Sequence, residues 1–536
     1  MRSRVFLVLA ALALILSISH VQAHNATFQA TAQATAQATP QRGGTLNVAA
    51  ESMSNSLDIG FWQGFGALHV IDSIGEGLVR ANFETGKVLP GLAESWKVSS
   101  DGLDYVFNIR KGMVFQDGAP ITAQAIVRSM KRSQTPKDPA YIDGMYMYGN
   151  QGIDNWQSLD AVDDNTVELK LKKPNATQLL VFTRPDGYII SPKAMDTYGK
   201  DVGLHMAMAG PYKIERFVPG QEAVLDANPD YWAGKPYLDK IIIRAYPDEA
   251  SILAALQAGE VDLTLYAPFD SVPRIQKDSS GGLRIVVGAP LVDLLLGINV
   301  TQKPLDNVMV RQAINYAIDR DAIIQAGLAG MGQAPASILA PNDLGFDPAG
   351  KTISHYDPTK AKQLLTQAGV TLPIPVTLSF ENDRFWPVLA ELISNNLNAV
   401  GFKVTLDRLD QGSFAGKESA GKTVLALDQR STFLPDPNDK VLIVDSVLSI
   451  GGMSHPEALP TAKQLDALID SGTTTLDPAA RAGIYKQIQA MVLDQMNIVY
   501  LAYLTPPIFV RDRVQNVDTQ GTAAGRVDFR GIWLKQ

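Results

Sequence analysis

Residues 376–406 read VTLSFENDRFWPVLAELISNNLNAVGFKVTL. Val376, Leu378 and Phe380 alternate with polar neighbours, as in a half-buried strand. A helix is predicted from about Pro387 to Val400, because proline suits a first helical turn and Gly401 is placed to end it. Val404 and Leu406 then resume a strand. Strand, helix and strand in succession mark a parallel sheet covered by helices, an α/β fold. The same grammar extends outward. Asp357-Pro358 supplies an N-cap and a first-turn proline for a helix with Ala361, Leu364, Leu365 and Ala368 on one face and Gly369 as its stop. Asp477-Pro478 repeats the device ahead of Ile484, Ile488, Met491 and Val492. Nearer the amino terminus, Thr45 to Ala49, Tyr105 to Ile109 and Val167 to Leu171 alternate as further strands, and Asp101-Gly102 suits the turn of a hairpin running from Trp96 into Tyr105. Asp306 or Asn307 is placed to cap a helix with Val310, Ile314, Ala317 and Ile318 on its apolar face and Arg311 and Asp319 nearer the rim. Gly259 follows Ile252, Ala255 and Leu256 where a helix must turn into a strand around Asp262 and Leu263.

The chain has 536 residues, Lys+Arg 47 against Asp+Glu 55, a formal net charge of -8 and no cysteine. Such a length calls for two or three structural units and a large core. The mildly acidic balance gives no electrostatic footprint for nucleic acid. Lack of cysteine excludes disulfides, thiolate metal sites, a cysteine nucleophile and a lipid-modified amino-terminal Cys. Arg2 and Arg4 precede an apolar run from Val5 to Ile18, and Val21-Gln22-Ala23 offers the small residues a signal peptidase reads. Residues 1–23 are therefore expected to be a cleaved signal peptide, since about 14 apolar residues fall short of the roughly 20 a bilayer span needs. Residues 24–42, almost all Ala, Thr and Gln, are expected to form a disordered linker.

Reaction chemistry is scarce. There is no HExxH, GxSxG or GxxxxGK[ST], and His69, His205, His355 and His455 are scattered. Gly327-Leu-Ala-Gly330-Met-Gly332 follows a helix instead of joining a strand to one, so a helix stop and loop is the better reading. Asp436, Asn438 and Asp439, interrupted by Pro435 and Pro437, fit turn chemistry better than a cation site. A secreted hydrolase working with paired carboxylates remains the rival from another class, yet nothing singles out a pair among 55 acids. No cofactor is expected.

Several stretches share one resemblance. They are Pro90-Gly-Leu-Ala-Glu-Ser-Trp96, Tyr105-Val-Phe-Asn-Ile-Arg110-Lys-Gly112-Met-Val-Phe115 with Asp117-Gly118, Gly210-Pro-Tyr212 with Asn228-Pro-Asp-Tyr231-Trp232, Leu256-Gln-Ala-Gly259-Glu-Val-Asp262, and Val310-Arg311-Gln-Ala-Ile-Asn-Tyr316-Ala-Ile-Asp319. In this order they resemble the dipeptide/oligopeptide class (family 5) of bacterial extracellular solute-binding proteins, from about Gly43 to Gln536. The resemblance implies a two-lobed periplasmic-binding-protein-like fold, class II of the large peptide-binding type, with mixed sheets covered by helices. Lobe I would span 43–289, lobe II would be an insertion over 290–504, and 505–536 would return to lobe I. Gly/Pro-rich junctions at Val287-Gly288-Ala289-Pro290 and Thr505-Pro506-Pro507 suit the two hinge crossings.

What the resemblance implies for function is a periplasmic, unlipidated monomer that captures a small extended solute, first of all a peptide. It would deliver this cargo to an ABC permease and its ATPase subunits. The same role could serve an oligosaccharide, an opine-like conjugate or a metal chelate. In peptide-binding relatives an Asp pairs the peptide's amino terminus shortly before an Asp-Pro pair. Here Asp436-Pro437 matches the pair, but the ungapped count lands on Phe433, and Asp428 is the nearest acid upstream. Phe61, Trp62, Phe65, Trp386 and Phe433 are candidate cleft aromatics, though large apolar side chains serve cores as readily. Arg384 and Arg430 are candidate partners for a cargo carboxylate, because a guanidinium can grip one with two parallel bonds, although a solvated surface would hold them as well.

Overall fold

The computed structural model describes residues 39–61, 64–145, 147, 151–277, 281–288, 292–352, 354–445, 453–504, 506–518 and 526–536. The expected signal peptide, nearly all of the expected linker, and hinge positions Ala289, Pro290 and Thr505 lie outside them. Arg42–Gln536 forms one compact unit.

Two mixed sheets organise that unit. The first runs, edge to edge, Leu283–Val287, Pro507–Arg511, Leu263–Thr264, Thr45–Ala50, Lys240–Ala245, Glu222–Ala227 and Tyr212–Val218. Thr45–Ala50 is parallel to both of its neighbours, with Val48 opposite Ile243 on one side and Leu263 on the other. The second runs Gly332–Gln333, Ile498–Leu504, Val292–Ile298, Leu425–Ser431, Ile374–Glu381 and Phe402–Leu409. Here Ile374–Glu381 is the strand with parallel neighbours on both sides. Val292–Ile298 and Ile498–Leu504 are buried at every residue, as central strands covered on both faces must be. A separate four-stranded antiparallel sheet consists of Ala93–Val98, Asp104–Ile109, Thr166–Leu171 and Trp156–Asp163.

The chain passes from one main sheet to the other twice. Val287 pairs with Pro507 at the end of the first sheet, and Val292 pairs with Leu504 at the start of the second.

Local signals explain the covering helices. Trp386–Val400 buries Trp386, Leu389, Ala390, Ile393, Leu397 and Val400, and stops at Gly401, whose φ of 121° favours glycine. Pro358–Gln367 and Pro478–Gln495 each begin with proline behind a capping aspartate: Asp357 accepts from the Lys360 N–H and Asp477 from the Ala480 N–H, both at 2.8 Å. Two faces differ from expectation. In Pro478–Gln495 the buried face is Arg481, Tyr485, Ile488, Gln489, Val492 and Leu493, while Ile484 and Met491 are half-buried. Arg311 is buried instead of lying at the rim, because its guanidinium donates to the carbonyls of Leu305 and Asp306 at 2.9 Å and of Gln495 at 2.8 Å. Hydrogen bonding lets polar residues occupy positions that an apolar count assigns to the surface.

Candidate functional site

Open α/β sheets bind ligands beyond the carboxyl ends of parallel strands, at the point where successive connections diverge to opposite sides of one strand. Each main sheet has one such point. In the second, Ile374–Glu381 connects through Trp386–Val400 to Phe402–Leu409 on one side, and the chain then returns through Gln411–Ser419 to Leu425–Ser431 on the other. The residues leaving those carboxyl ends are Asn382 to Phe385 and Thr432 to Leu434. In the first, Thr45–Ala50 lies between Lys240–Ala245 and Leu263–Thr264, themselves linked by helix Glu249–Ala258. Glu51, Glu249 and Tyr266 emerge there.

These two points meet. The Arg384 guanidinium lies 3.7 Å from Glu51 across the divide, 3.4 Å from Glu381 and 3.7 Å from Asp383, and 5.4 Å from the centroid of the Tyr266 ring. Phe269 and Phe385 pack edge to face beside it, with centroids 5.3 Å apart. Arg384 sits at φ 49°, a left-handed conformation that is uncommon for a residue with a Cβ. Burial pushes the carboxyls of Glu51 and Glu381 up, with Arg384 opposing. Burial lowers the Arg384 pKa, but Glu51, Tyr266, Asp383 and Glu381 outweigh it and hold the guanidinium above its ordinary value.

A second group lines the end of Leu425–Ser431. Asp428 pairs with Arg430 and accepts the Gln429 N–H at 2.7 Å, and Arg430 also meets Glu418 at 3.2 Å. Burial, then the Asp428 charge, push Glu418 up. Past the strand end, the N–H groups of Phe433 and Leu434 donate to Asp439 at 2.6 and 3.2 Å. Arg184, distant in the chain, reaches 3.8 Å from Asp439 and 5.3 Å from the centroid of the Phe433 ring. Further contacts join the same two stretches of chain: Ala176 N–H donates to the Thr473 carbonyl at 2.9 Å, and Lys173 pairs with Asp470.

The structure thus brings Arg384, Asp428, Arg430 and Phe433 to the carboxyl ends of the second sheet. Both arginines are already engaged by acids of the protein, so neither is an open carboxylate grip. Trp386 is 2% exposed and packed in the core, since it is in phase with Leu389, Ala390, Ile393 and Leu397 on the buried face of its helix. Phe61 is exposed in the segment after Glu51. Trp62 and the Phe65 side chain lie outside the described residues. Asp436 caps Pro437–Val441 and pairs with Arg481, so the Asp436–Asp439 group is turn and cap chemistry. Among the described residues no group of three or more His, Cys, Asp or Glu could hold a metal ion. Glu51, Glu249, Tyr266 and Arg184 escape a reading by residue type. The one signal that could have found Glu51 and Tyr266 is their place just after a strand end.

Glu249 provides a pH test. Burial and the nearby Asp270 push its carboxyl up to about 7, with Arg384 opposing and Glu51 and Asp383 adding to the rise. The folded protein holds this proton more tightly than the unfolded chain does. The carboxyl therefore costs nothing in acid and progressively more as pH climbs from the ordinary glutamate range through about 7. Glu249→Gln is expected to gain stability relative to wild type between about pH 5 and about pH 8, read by denaturant titration at each pH. A constant difference across that window would contradict the assignment.

Comparison with known proteins agrees with this geometry. A family model described as bacterial extracellular solute-binding proteins, family 5 middle, matches residues 87–446. The glutathione-binding protein GsiB of Salmonella choleraesuis (strain SC-B67) is 30% identical over 413 residues, covering 76% of this chain and 78% of that protein. Among solved structures, the periplasmic binding protein DppA from Helicobacter pylori in complex with the peptide STSA superposes with a TM-score of 0.82 at 25% identity, covering 92% of this chain and 99% of that one. AgaA from A. tumefaciens R10 in complex with agropinic acid gives 0.79 at 25% identity, with the same coverage. No helix among the described residues is long and apolar enough to cross a membrane. The chain belongs to the bacterial extracellular solute-binding proteins of family 5, the binding components of ABC importers, and is not an enzyme.

Proposed function

We propose that this chain captures a small extended solute, a peptide in the first instance, between its two lobes and delivers it to a membrane permease driven by separate ATPase subunits. The reading takes residues 1–23 as a cleaved signal, 24–42 as a linker, 43–289 with 505–536 as lobe I, 290–504 as lobe II, and the working protein as a periplasmic monomer. The observation that carries it is the meeting of both switch points at Arg384, Glu51 and Tyr266. Relatives named for glutathione or solved with a peptide support peptide-like cargo. An opine-like conjugate is the second reading: Asp428 is already engaged by Arg430, so it is not a lone acid awaiting a free amino terminus.

A solute bridging both walls favours the closed arrangement and shifts the population toward it. Addition of cargo is expected to lower the radius of gyration in solution scattering. It should also raise the melting temperature, with about 2.7 kcal/mol of added stability when free ligand is a hundred times Kd. The probes are mixed peptides, opine-type conjugates and oligosaccharides, weighed on the protein by native mass spectrometry. Retention of intact probe supports the reading; turnover of a probe, or retention of none, ends it.

A further inference from the structure

Asp293 is 4% exposed, and its Oδ1 is the one buried carboxylate oxygen without a hydrogen-bond partner among the described residues. No cation among those residues stands within ion-pairing distance of it, since the Lys440 ammonium is engaged with Asp343 at 2.8 Å. Buried polar groups are ordinarily satisfied, so an acid left this way calls for a physical account. An ionised carboxylate is unstable when taken out of water with no partner, and it escapes that state by keeping its proton. Burial accordingly pushes the Asp293 carboxyl up to about 6, with Lys440 opposing and Asp343 adding to the rise.

Strand register places the groups around it. Asp293 opposes Arg430 on one side and Tyr503 on the other, and residues directly opposite share a face. Leu295, two residues on and so on that face too, opposes Asp428 and Tyr500, because a register shift beside Leu294 skips Leu501. The Tyr500 hydroxyl, in a residue 5% exposed, is a second buried atom there without a partner. Helix Pro437–Val441 covers this face: Lys440 Nζ lies 5.7 Å from the centroid of the Tyr503 ring, and Val441 shares a hydrophobic cluster with Leu295 and Tyr500. Asp428 and Arg430 engage each other, with Glu418 on Arg430, and the Tyr503 hydroxyl donates to the Ser337 carbonyl at 2.8 Å. Lys440 and Asp343 are thus the charges that decide the state of Asp293. The residue before Lys440 on the same helix, Asp439, accepts the Phe433 and Leu434 N–H groups at the candidate site.

We propose that Asp293 is a positioning residue that couples a proton to the cargo site. While it is neutral, Lys440 stays on Asp343 and helix Pro437–Val441 holds Phe433 and Leu434 in place; once it ionises, Lys440 is drawn toward it and that hold loosens. The coupling runs through one short helix, because Asp439 and Lys440 are consecutive and a shift of one displaces the other. The proposal rests on the capture function given above and adds its regulation by pH. Its sign follows from linkage. The held arrangement keeps Asp293 buried and unpaired, so it binds the proton more tightly than the loosened one, in which water or Lys440 meets the charge. Acid therefore favours the held arrangement, and the advantage is lost as pH climbs through about 6. Cargo that needs the held arrangement takes up part of a proton on binding. It is bound more tightly at about pH 5 than at about pH 7, by at most about tenfold, since one pH unit below a raised pKa is worth one factor of ten.

The test uses the full chain and two readouts. Hydrogen exchange of the Phe433 and Leu434 amides, each rate divided by its intrinsic chemical rate at that pH, reads the hold without any cargo. Isothermal titration with glutathione and with the peptide Ser-Thr-Ser-Ala reads affinity. In wild type both protection and affinity are expected to fall from about pH 5 to about pH 7, and Asp293→Asn should flatten both profiles. Glu249 titrates in the same range, so the difference between wild type and this variant carries the assignment. Asp343→Asn frees Lys440 for Asp293 and should move the exchange midpoint to lower pH, a shift that a merely structural role would not produce. That variant also decides the matter where Asp293→Asn fails to fold. Profiles of equal slope in wild type and Asp293→Asn, or a midpoint that Asp343→Asn leaves in place, overturn the proposal. A flat exchange profile in wild type overturns it too, and leaves the capture reading standing where either probe binds. The expected exchange profile with neither probe retained upholds the coupling and counts against the peptide reading.

Discussion

Asp436→Ala is expected to lower the unfolding free energy by about 3–5 kcal/mol, because it strips the counter-charge from a buried guanidinium. Arg481 donates to Asp436 at 3.0 and 2.8 Å, to the Gly472 carbonyl at 2.8 Å and to the Tyr485 hydroxyl at 2.9 Å, and both members of the ion pair are buried. Asp436 also accepts the Asn438 N–H at 2.9 Å as the N-cap of Pro437–Val441, a role worth about 1 kcal/mol of the total. Asp436→Asn keeps the cap and the shape and loses the charge, so its deficit should be smaller. Asp436→Ala combined with Arg481→Met should recover much of the loss, since an unpaired buried charge costs more than a missing pair. The effect reaches the site through the chain: Phe433 and Leu434 stand between the end of strand Leu425–Ser431 and this cap. Cargo affinity should therefore fall along with stability. A midpoint shift equivalent to less than about 1 kcal/mol in denaturant titration would mean that the pair behaves as an exposed one.

The part of this architecture legible in the sequence is the part written in local chemistry. Helix Trp386–Val400 is announced by Pro387 and Gly401, and Pro358–Gln367 and Pro478–Gln495 by an aspartate-proline pair, because capping and proline geometry are decided within a few residues. Strand order is decided by contacts far apart in the chain. Nothing in Pro507–Arg511 says that it inserts between Leu283–Val287 and Leu263–Thr264. The buried face of Pro478–Gln495 was shifted from its apolar residues because Arg481 and Gln489 are held inside by hydrogen bonds, Gln489 through the Asp347 carbonyl at 2.6 Å. Period counting sees hydrophobicity and is blind to satisfied polar groups.

The same limit governs the site. Arg384 and Arg430 stand out by residue type, and Asp428 and Phe433 by their spacing from Asp436-Pro437; all four lie at the carboxyl edge of the second sheet. Their partners decide their meaning, and some of those partners are distant in the chain, as Glu51 is from Arg384 and Arg184 from Phe433. Glu51 cannot be picked from 55 acids until the two sheets face each other at Arg384. Trp386 illustrates the reverse error: a large aromatic beside a strand end suggests a cleft, while its phase with Leu389 and Ile393 commits it to the core.

Arg132→Ala should cost as much as Asp436→Ala, about 3–5 kcal/mol, and for the same reason. Arg132 is 0% exposed; it donates to Asp58 Oδ1 at 3.0 Å, forms a second bond to Oδ2, and donates to the Ala140 carbonyl at 2.8 Å. Asp58 in turn holds the segment that follows Glu51, accepting the Gly60 N–H on its side chain at 2.9 Å and the Phe61 N–H on its carbonyl at 3.0 Å. Losing the guanidinium leaves a buried carboxylate with no cation, and the segment must loosen to hydrate it. The segment after Glu51 should then lose its shape, and cargo affinity should fall with stability if that segment lines the proposed cleft. Lys173–Asp470 offers the contrast, for it is the same kind of pair between side chains 55% and 59% exposed. Water already solvates both charges there, so Asp470→Ala should cost at most about 1 kcal/mol even though the pair joins distant stretches of the chain. Denaturant titration of both variants decides the matter: if Asp470→Ala proved the more costly, burial would not be what sets the worth of these ion pairs.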